Sequence, residues 1–214
     1  MNDTINIYEM FYSFQGESTL MGRKTLFIRL SECNLRCKIC DTKYALKKNK
    51  TMSIDKILKT AKNTKVKYIC ITGGEPLLQA KVVNRLINGL LRLKKIVSVE
   101  TNGSLPISLI SDKSKRIVDV KMPSSGEEGS FLTSNLCKLT DSDELKFVIS
   151  DKKDFDQAIS FIRKHRPSCT LLFSPNLDKK RISRDLIKWI FNSEENVVFQ
   201  PQLHKLIKER PVYL

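Results

Sequence analysis

The strongest constraint on the fold is an alternation. Short apolar runs are separated by longer segments whose apolar residues recur at helical spacing. The strand-like runs are 25–30, 68–72, 96–101, 116–120, 145–149, 170–174 and 197–200, and the clearest helical stripes cover 77–93, 153–165 and 183–191. An earlier stripe, 53–62, places Ile54, Ile57, Leu58 and Ala61 on one face behind Ser53 as N-cap. Continuous apolar strands interleaved with helices specify a parallel sheet buried on both faces. The connection 104–115 is short and has no strong helical stripe, and 124–129 reads as a loop. Helices are therefore expected to be fewer than strands. The expected fold is α/β, a partial TIM-like barrel of mostly parallel strands, with 1–214 forming a single domain. Polar and glycine-rich turns recur just past the strand ends, at Gly73-Gly74-Glu75, Asn102-Gly103, Lys121 to Ser125 and Ser174-Pro175-Asn176. In barrels and open α/β sheets that carboxyl edge is where sites assemble.

A chain of 214 residues can bury a real core without disulfide staples. Its net charge is +15, from 38 basic and 23 acidic side chains. Such a charge suits a phosphate-rich partner. Yet 27 of the 38 are Lys and 11 are Arg, and Lys is the poorer residue for bidentate phosphate or base recognition. Nine Lys fall between Lys43 and Lys67 against a single Asp, a pattern suited to a solvated helix face. No stretch approaches the roughly 18 apolar residues of a membrane span, and the first residues lack the charged and apolar regions of a secretion signal. The expectation is a cytoplasmic protein in a reducing compartment, with its six cysteines free, metal-bound or catalytic.

Three of those cysteines are grouped. Cys33, Cys37 and Cys40 form C-x3-C-x2-C directly after the run Phe27-Ile-Arg-Leu30, and a loop this short can bring three thiolates around one soft metal centre. A structural zinc site or an electron-transfer cluster takes four protein ligands. Here the next cysteine, Cys70, lies in an apolar strand, and His165 and His204 are remote in sequence. Three ligands without a fourth fit a [4Fe–4S] cluster with one iron open to a substrate or cofactor. Cys137 and Cys169 have no partner spacing and read as packing residues. A second signal, Thr72-Gly-Gly-Glu75-Pro76, links a strand to a helix. Its glycines permit close backbone approach to a ligand, and Pro76 suits a first helical turn.

The cysteine trio and the Gly-Gly-Glu turn about thirty residues later together resemble the radical S-adenosylmethionine superfamily. That resemblance implies a radical SAM type of partial barrel, a [4Fe–4S] cluster on Cys33, Cys37 and Cys40, and S-adenosylmethionine bound at the open iron. Further segments are similar to one family, 7-carboxy-7-deazaguanine synthase. They are Glu9-Met-Phe-Tyr-Ser-Phe14-Gln15-Gly16-Glu17, Phe27-Ile-Arg29-Leu, Cys40-Asp41-Thr42, Glu100-Thr-Asn102-Gly103, Asp119-Val-Lys121, Phe147-Val-Ile and Gln202-Leu-His204-Lys205. The likeness spans nearly the whole chain. It implies a carbon–nitrogen lyase that contracts 6-carboxy-5,6,7,8-tetrahydropterin to 7-carboxy-7-deazaguanine with loss of ammonia, requires Mg2+, and serves 7-deazapurine pathways such as queuosine.

The same resemblance assigns Phe14, Gln15, Gly16, Glu17, Arg29, Thr72 and His204 to the pterin. It assigns Ile39, Cys40, Asp41, Gly74, Glu75, Asn102, Lys121, Ser124, Ser125, Ser174 and Asn176 to the cofactor, and Thr42 to Mg2+. An arginine inside an apolar strand needs an anionic partner. For Arg29 that partner is the substrate carboxylate or, alternatively, Glu32 or Glu17. Asp41-Thr42 equally suits a local backbone cap. The chain departs from the family's usual pattern in having Ile39 where an aromatic is frequent and Glu32 where Gly is usual. Family members can also close the pocket with a terminal carboxylate at a proline, whereas Pro211 is here followed by Val-Tyr-Leu214. The implied partners are a reductant such as flavodoxin, drawn to the Lys excess, and a second copy of the chain in a homodimer. No stable nucleic acid or membrane partner is expected. Two other readings share part of the pattern: a glycyl-radical activating enzyme and a basic zinc or iron–sulfur RNA-binding module. The first leaves Gln15–Glu17 and Arg29 without a role, and the second draws only on the charge.

Overall fold

The apolar runs pair side by side almost in the order in which they occur. The computed structural model describes residues 3–47, 50–207 and 212–213. Its strands are β1 (Thr4–Phe14), β2 (Lys24–Leu30), β3 (Lys50–Ser53), β4 (Tyr68–Gly73), β5 (Ile96–Thr101), β6 (Lys115–Val120), β7 (Glu144–Ile149), β8 (Thr170–Pro175), β9 (Val198–Phe199) and β10 (Val212–Tyr213). They form one sheet in the order β10-β1-β2-β4-β5-β6-β7-β8-β9, with β3 on the other half of β1. From β2 to β9 every neighbouring pair is parallel, and β1 runs antiparallel to β2, β3 and β10. Among the described residues β9 and β10 do not pair, so the barrel is open.

Helices α1 (Ile54–Asn63), α2 (Ala80–Arg92), α3 (Lys152–His165) and α4 (Ile182–Phe191) make four of the crossovers, and the short α5 (Leu203–Ile207) follows β9. Ser53 caps α1 as the sequence predicts, its hydroxyl accepting from the Lys56 N–H at 3.3 Å. The β5–β6 and β6–β7 connections carry only short 3-10 turns. That is the reduced helix count expected of a partial barrel, and the fold class stands as read from the sequence.

The expectation of strands apolar on both faces needs correction. Outward residues such as Ile28, Ile69, Ile71, Val97, Val99 and Val118 pack with Val83, Leu86, Ile87 and Leu90 of α2 in one apolar core. The concave face is different. Alternate residues there include Arg29 on β2, Thr72 on β4, Glu100 on β5, Asp119 on β6 and Lys146 on β7, and all five line a cavity. Among the described residues, Phe11, Phe27 and Cys70 make a small apolar cluster apart from the main core. The Phe11 and Phe27 rings stack at 5.0 Å, directly opposite each other across β1 and β2.

The gap that strand pairing leaves open is bridged by the loop between β1 and β2. Ser18 N–H donates to Gln200 Oε1 and Gln200 Nε2 donates to the Ser18 carbonyl, each at 2.7 Å. Thr19 gives its N–H and hydroxyl to Glu144 at the start of β7, and Leu203 N–H reaches the Gly16 carbonyl at 2.9 Å. The loop therefore ties the first strands to β7 and to the segment after β9. It is a floor made of polar bonds in place of a closing strand.

Candidate active site

The inner face, the floor loop and the carboxyl-edge loops enclose a single cavity of about 530 Å³. Register builds its base. Glu9 lies opposite Arg29 in the β1–β2 ladder, and Arg29 lies beside Thr72 in the β2–β4 ladder. Arg29 Nε donates to Glu9 Oε1 at 2.7 Å, and the guanidinium sits 5.4 Å from the Phe11 ring centre and 5.8 Å from that of Tyr44. The protein partner of Arg29 is thus Glu9, where the sequence suggested Glu32 or Glu17. Glu32 instead accepts from Asn6, and Glu17 is bound elsewhere. Glu9 takes only Nε, and the two terminal guanidinium nitrogens have no hydrogen-bond partner among the described residues.

Glu17 and Gln15 enter from the floor. Glu17 accepts from Lys146 Nζ and from Gln202 Nε2, each at 2.5 Å. Burial pushes its carboxyl up, but the Lys146 charge and the two hydrogen bonds outweigh this and hold it below the ordinary glutamate value. Lys146 also lies 3.3 Å from Asp119, which lies 3.0 Å from Lys121. Burial would lower Lys146, yet the Glu17 and Asp119 charges raise it well above the ordinary lysine value. Glu100 accepts from Thr72 Oγ1 at 2.7 Å and from Gln15 Nε2 at 3.3 Å. Gly16 packs against α5, where an added Cβ would lie 2.3 Å from His204 Nδ1. His204 Nε2 stands 4.0 Å from Asp41 Oδ2, so α5 and the cysteine loop meet across the cavity.

The mouth is formed by the cysteine loop and the Gly-Gly-Glu turn. A Cβ on Gly74 would sit 1.7 Å from the Glu32 carbonyl, and one on Gly73 would sit 2.3 Å from the Leu30 carbonyl. Gly73 also has φ +112°. The two glycines are therefore required by the backbone that leads into the cysteines. Glu32, where the family usually has Gly, adopts φ +72°, the left-handed conformation that glycine enters without cost. The loop keeps that turn despite the substitution.

Cys33, Cys37 and Cys40 are half-buried and line the cavity together with Ile39. Cys33 Sγ accepts from Leu35 N–H at 3.4 Å and from Asn102 Nδ2 at 3.8 Å. Burial raises the Cys33 and Cys37 thiols above the ordinary value, so a metal would have to displace their protons. Among the described residues no three Cys, His, Asp or Glu side chains converge as a single-ion site demands. Three thiols opening on one cavity, each free to take a different corner, have the donor chemistry of a three-cysteine cluster. Thr42 makes no capping bond with its hydroxyl, which lies 3.7 Å from Cys40 Sγ. Its carbonyl accepts from Ala45 N–H instead.

Of the residues singled out in the sequence, Phe14, Gln15, Gly16, Glu17, Arg29, Cys33, Cys37, Ile39, Cys40, Asp41, Thr42, Thr72, Gly74, Asn102, Lys121, Ser125, Asn176 and His204 line this cavity. Glu75, Ser124 and Ser174 do not. The Glu75 carboxylate is buried and accepts from Leu77 N–H, Thr101 Oγ1 and Asn102 N–H at 2.9, 2.7 and 2.8 Å. Burial raises its pKa against those three bonds. It fixes the Asn102 turn rather than facing the cavity. Ser124 turns toward α3, where Asp154 and Asp151 hold its N–H and hydroxyl, and Ser174 is fully buried. Pro211 and Leu214 lie outside the described residues.

Cys70 and Cys169 are buried as expected, but Cys137 is exposed and donates to the Ser134 carbonyl, so it is not a packing residue. Sequence reading missed Glu100, Asp119 and Lys146 as site residues. Their signal was the one recognised at Arg29, a charge inside an apolar strand.

Comparison with known proteins agrees with this geometry. The family model described as the radical SAM superfamily matches residues 28–121. A 7-carboxy-7-deazaguanine synthase of Koribacter versatilis is 37% identical over 218 residues, covering 95% of this chain and 96% of that protein. The chain belongs to the 7-carboxy-7-deazaguanine synthase family. It is an enzyme of the radical SAM superfamily, in the lyase class, and the family implies a [4Fe–4S] cluster and S-adenosylmethionine. The synthase of Thermoplasma acidophilum is 36% identical, covering 94% of this chain and 96% of that one. The crystal structure of QueE from Escherichia coli shares the fold, with a TM-score of 0.77 at 20% identity, covering 94% of this chain and 95% of that chain. No helix among the described residues is long and apolar enough to cross a membrane.

Proposed function

We propose that this chain converts 6-carboxy-5,6,7,8-tetrahydropterin to 7-carboxy-7-deazaguanine and ammonia, in 7-deazapurine biosynthesis of the queuosine type. One observation carries the reading: three cluster-type thiols open onto the same cavity as a pterin-sized set of polar groups led by Gln15, Glu17 and Arg29. Cys33, Cys37 and Cys40 would hold the cluster, which would supply an electron to S-adenosylmethionine and through it the radical chemistry that the pterin's C6–H bond requires. The overall change is redox-neutral, since the product is the substrate less one NH3.

The chain's own residues bind and orient. Glu17 accepts from the guanidine-like edge of the pterin, with Gln15, Gly16 and Phe14 beside it. The free terminal nitrogens of Arg29 take the substrate carboxylate as a fork, and Thr72 and His204 flank the ring. Thr42, next to Asp41, offers a hard oxygen to Mg2+. Ile39, the Cys40–Asp41 turn, Gly74, Asn102, Lys121, Ser125 and Asn176 receive S-adenosylmethionine, while Glu75, Ser124 and Ser174 support that wall from behind. Residues 1–214 act as one domain in the cytoplasm and pair as a homodimer. The Lys-rich segment after the cysteines docks an acidic reductant such as flavodoxin, so reduction by flavodoxin should slow with added salt.

Anaerobic turnover of the reconstituted protein with reductant and S-adenosylmethionine, with and without Mg2+, tests the reading. A mass matching 7-carboxy-7-deazaguanine, formed in quantity only with Mg2+, is expected. An unchanged pterin in the presence of Mg2+ would refute it.

A further inference from the structure

We propose that Lys146 is a positioning residue of the substrate pocket, whose ammonium holds Glu17 as the carboxylate acceptor for the pterin's guanidine-like edge. The inference rests on the pterin reading above and deepens it.

Lys146 interrupts the apolar strand β7 on its concave face. Its Nζ is 2.5 Å from Glu17 Oε2 and 3.3 Å from Asp119 Oδ2. The other Glu17 oxygen accepts from Gln202 Nε2 at 2.5 Å, so the carboxylate plane is fixed from two sides. A buried ion pair of this kind contributes little to stability, because desolvation offsets the attraction, and apolar residues of similar volume serve a core as well or better. Its place on a cavity wall points to the ligand. The groups facing Glu17 come from three directions. Lys146 reaches it from β7, with Asp119 of β6 behind. Gln202 and His204 approach around α5, and the Gln15 side chain accepts from the Glu17 N–H within the loop. Glu100 of β5 acts on Lys146 rather than on Glu17. Lys146 is the sole cation hydrogen-bonded to Glu17 among the described residues.

Burial is the largest influence on Glu17 and it raises the carboxyl, so removing Lys146 leaves burial opposed only by Gln202 and His204. The acid then protonates at a higher pH than in the wild type, and a neutral carboxyl is a poorer acceptor for the pterin's N–H groups. Below that raised value binding should weaken, and above it binding should recover.

The test is an anaerobic equilibrium titration of reconstituted holoenzyme with the carboxylated tetrahydropterin, without reductant, across pH. Relative to wild type, Lys146→Met should weaken Kd about tenfold or more near pH 6, and less than about threefold near pH 8.5. Lys146→Arg, which keeps the charge, should return the profile to wild type. A loss that is the same at every pH, or no loss, overturns the proposal. If Lys146→Met does not fold, the double variant Glu17→Gln/Lys146→Met carries the test, because it removes both charges together. It should bind the pterin within about threefold of Glu17→Gln alone, and a larger additional loss overturns the proposal. Wild-type protein that fails to bind the pterin would instead overturn the function on which the proposal rests.

Discussion

The mouth and the interior of the cavity are built on opposite principles. At the mouth, Cys33, Cys37 and Cys40 are half-buried and their sulfurs make only long contacts. The loop is fixed instead by backbone: Glu32 N–H to the Ala45 carbonyl at 2.9 Å, Glu75 N–H to the Glu32 carbonyl at 2.7 Å, and Lys38 N–H to the Ser125 carbonyl at 2.8 Å. In the interior the charged side chains are bound to one another. Glu17, Lys146, Asp119 and Lys121 form a chain of alternating sign, and Arg29 is held by Glu9. Thiols that must be free to take a metal cannot also be committed to protein partners. Groups that recognise a polar ligand gain from being oriented beforehand, because the ordering cost is met on folding.

The largest effect that would break this contrast lies at the mouth. Cys33→Ala, Cys37→Ala and Cys40→Ala should each lower 5′-deoxyadenosine formation by at least about 100-fold, with loss of bound iron, since a ligand outweighs the outer contacts that tune it. Cys137→Ser, at an exposed position outside the cavity, should stay within about twofold of wild type. Equal losses in all four would remove the distinction between ligand and bystander.

Gly74→Ala tests whether backbone alone shapes the mouth. A Cβ 1.7 Å from the Glu32 carbonyl forces main chain to move, and a loss of about 3 kcal/mol or more in chemical denaturation is expected. Gly22, where an added Cβ meets nothing within 4 Å but φ is +81°, should cost only about 1 kcal/mol as Ala.

The interior is probed through its floor. Gln200→Ala removes both bonds to Ser18 and leaves the buried Ser18 N–H unpaired, while the Ser18 carbonyl keeps its bond from the Met21 N–H at 3.0 Å. The expected loss is about 2 kcal/mol in urea unfolding, accompanied by a higher KM for the pterin, because the loop carrying Glu17 is loosened. An unchanged KM would separate the floor from the recognition set.

Smallest of all, Glu32→Gly relieves a left-handed residue while giving up one bond from Asn6. A gain of about 0.5 kcal/mol in unfolding free energy, read as a higher urea midpoint, is expected. A loss would mean that the glutamate itself braces the loop.

Much of this molecule was legible in the chain. The apolar runs fall within a residue or two of β2 and β4 through β9, and the stripes do the same for α1, α3 and α4. The reason is that packing against helices imposes continuous apolarity on one side of each strand. The stripe 77–93 opens with a 3-10 turn at Pro76–Gln79 before α2 begins at Ala80, a boundary that periodicity does not resolve. β1 alternates like a half-buried strand only at Ile5 and Ile7; its register shifts between Ile7 and Glu9, and the adjacent Met10 and Phe11 are both buried, so no single period runs through Thr4–Phe14. β3 and β10 are short edge strands whose pairing with β1 is a tertiary event.

The sequence by itself determined the class of fold, the three thiols in one loop and the two glycines behind them, because those depend on local spacing and on sterics between near neighbours. Only the tertiary structure decided the partners. Glu9 meets Arg29 through an antiparallel register, Lys146 meets Glu17 across 129 positions of chain, and Gln200 meets Ser18 across 182. Charges attract without regard to sequence distance, so which of the 38 basic and 23 acidic side chains become a site is fixed only when the sheet brings its concave face together.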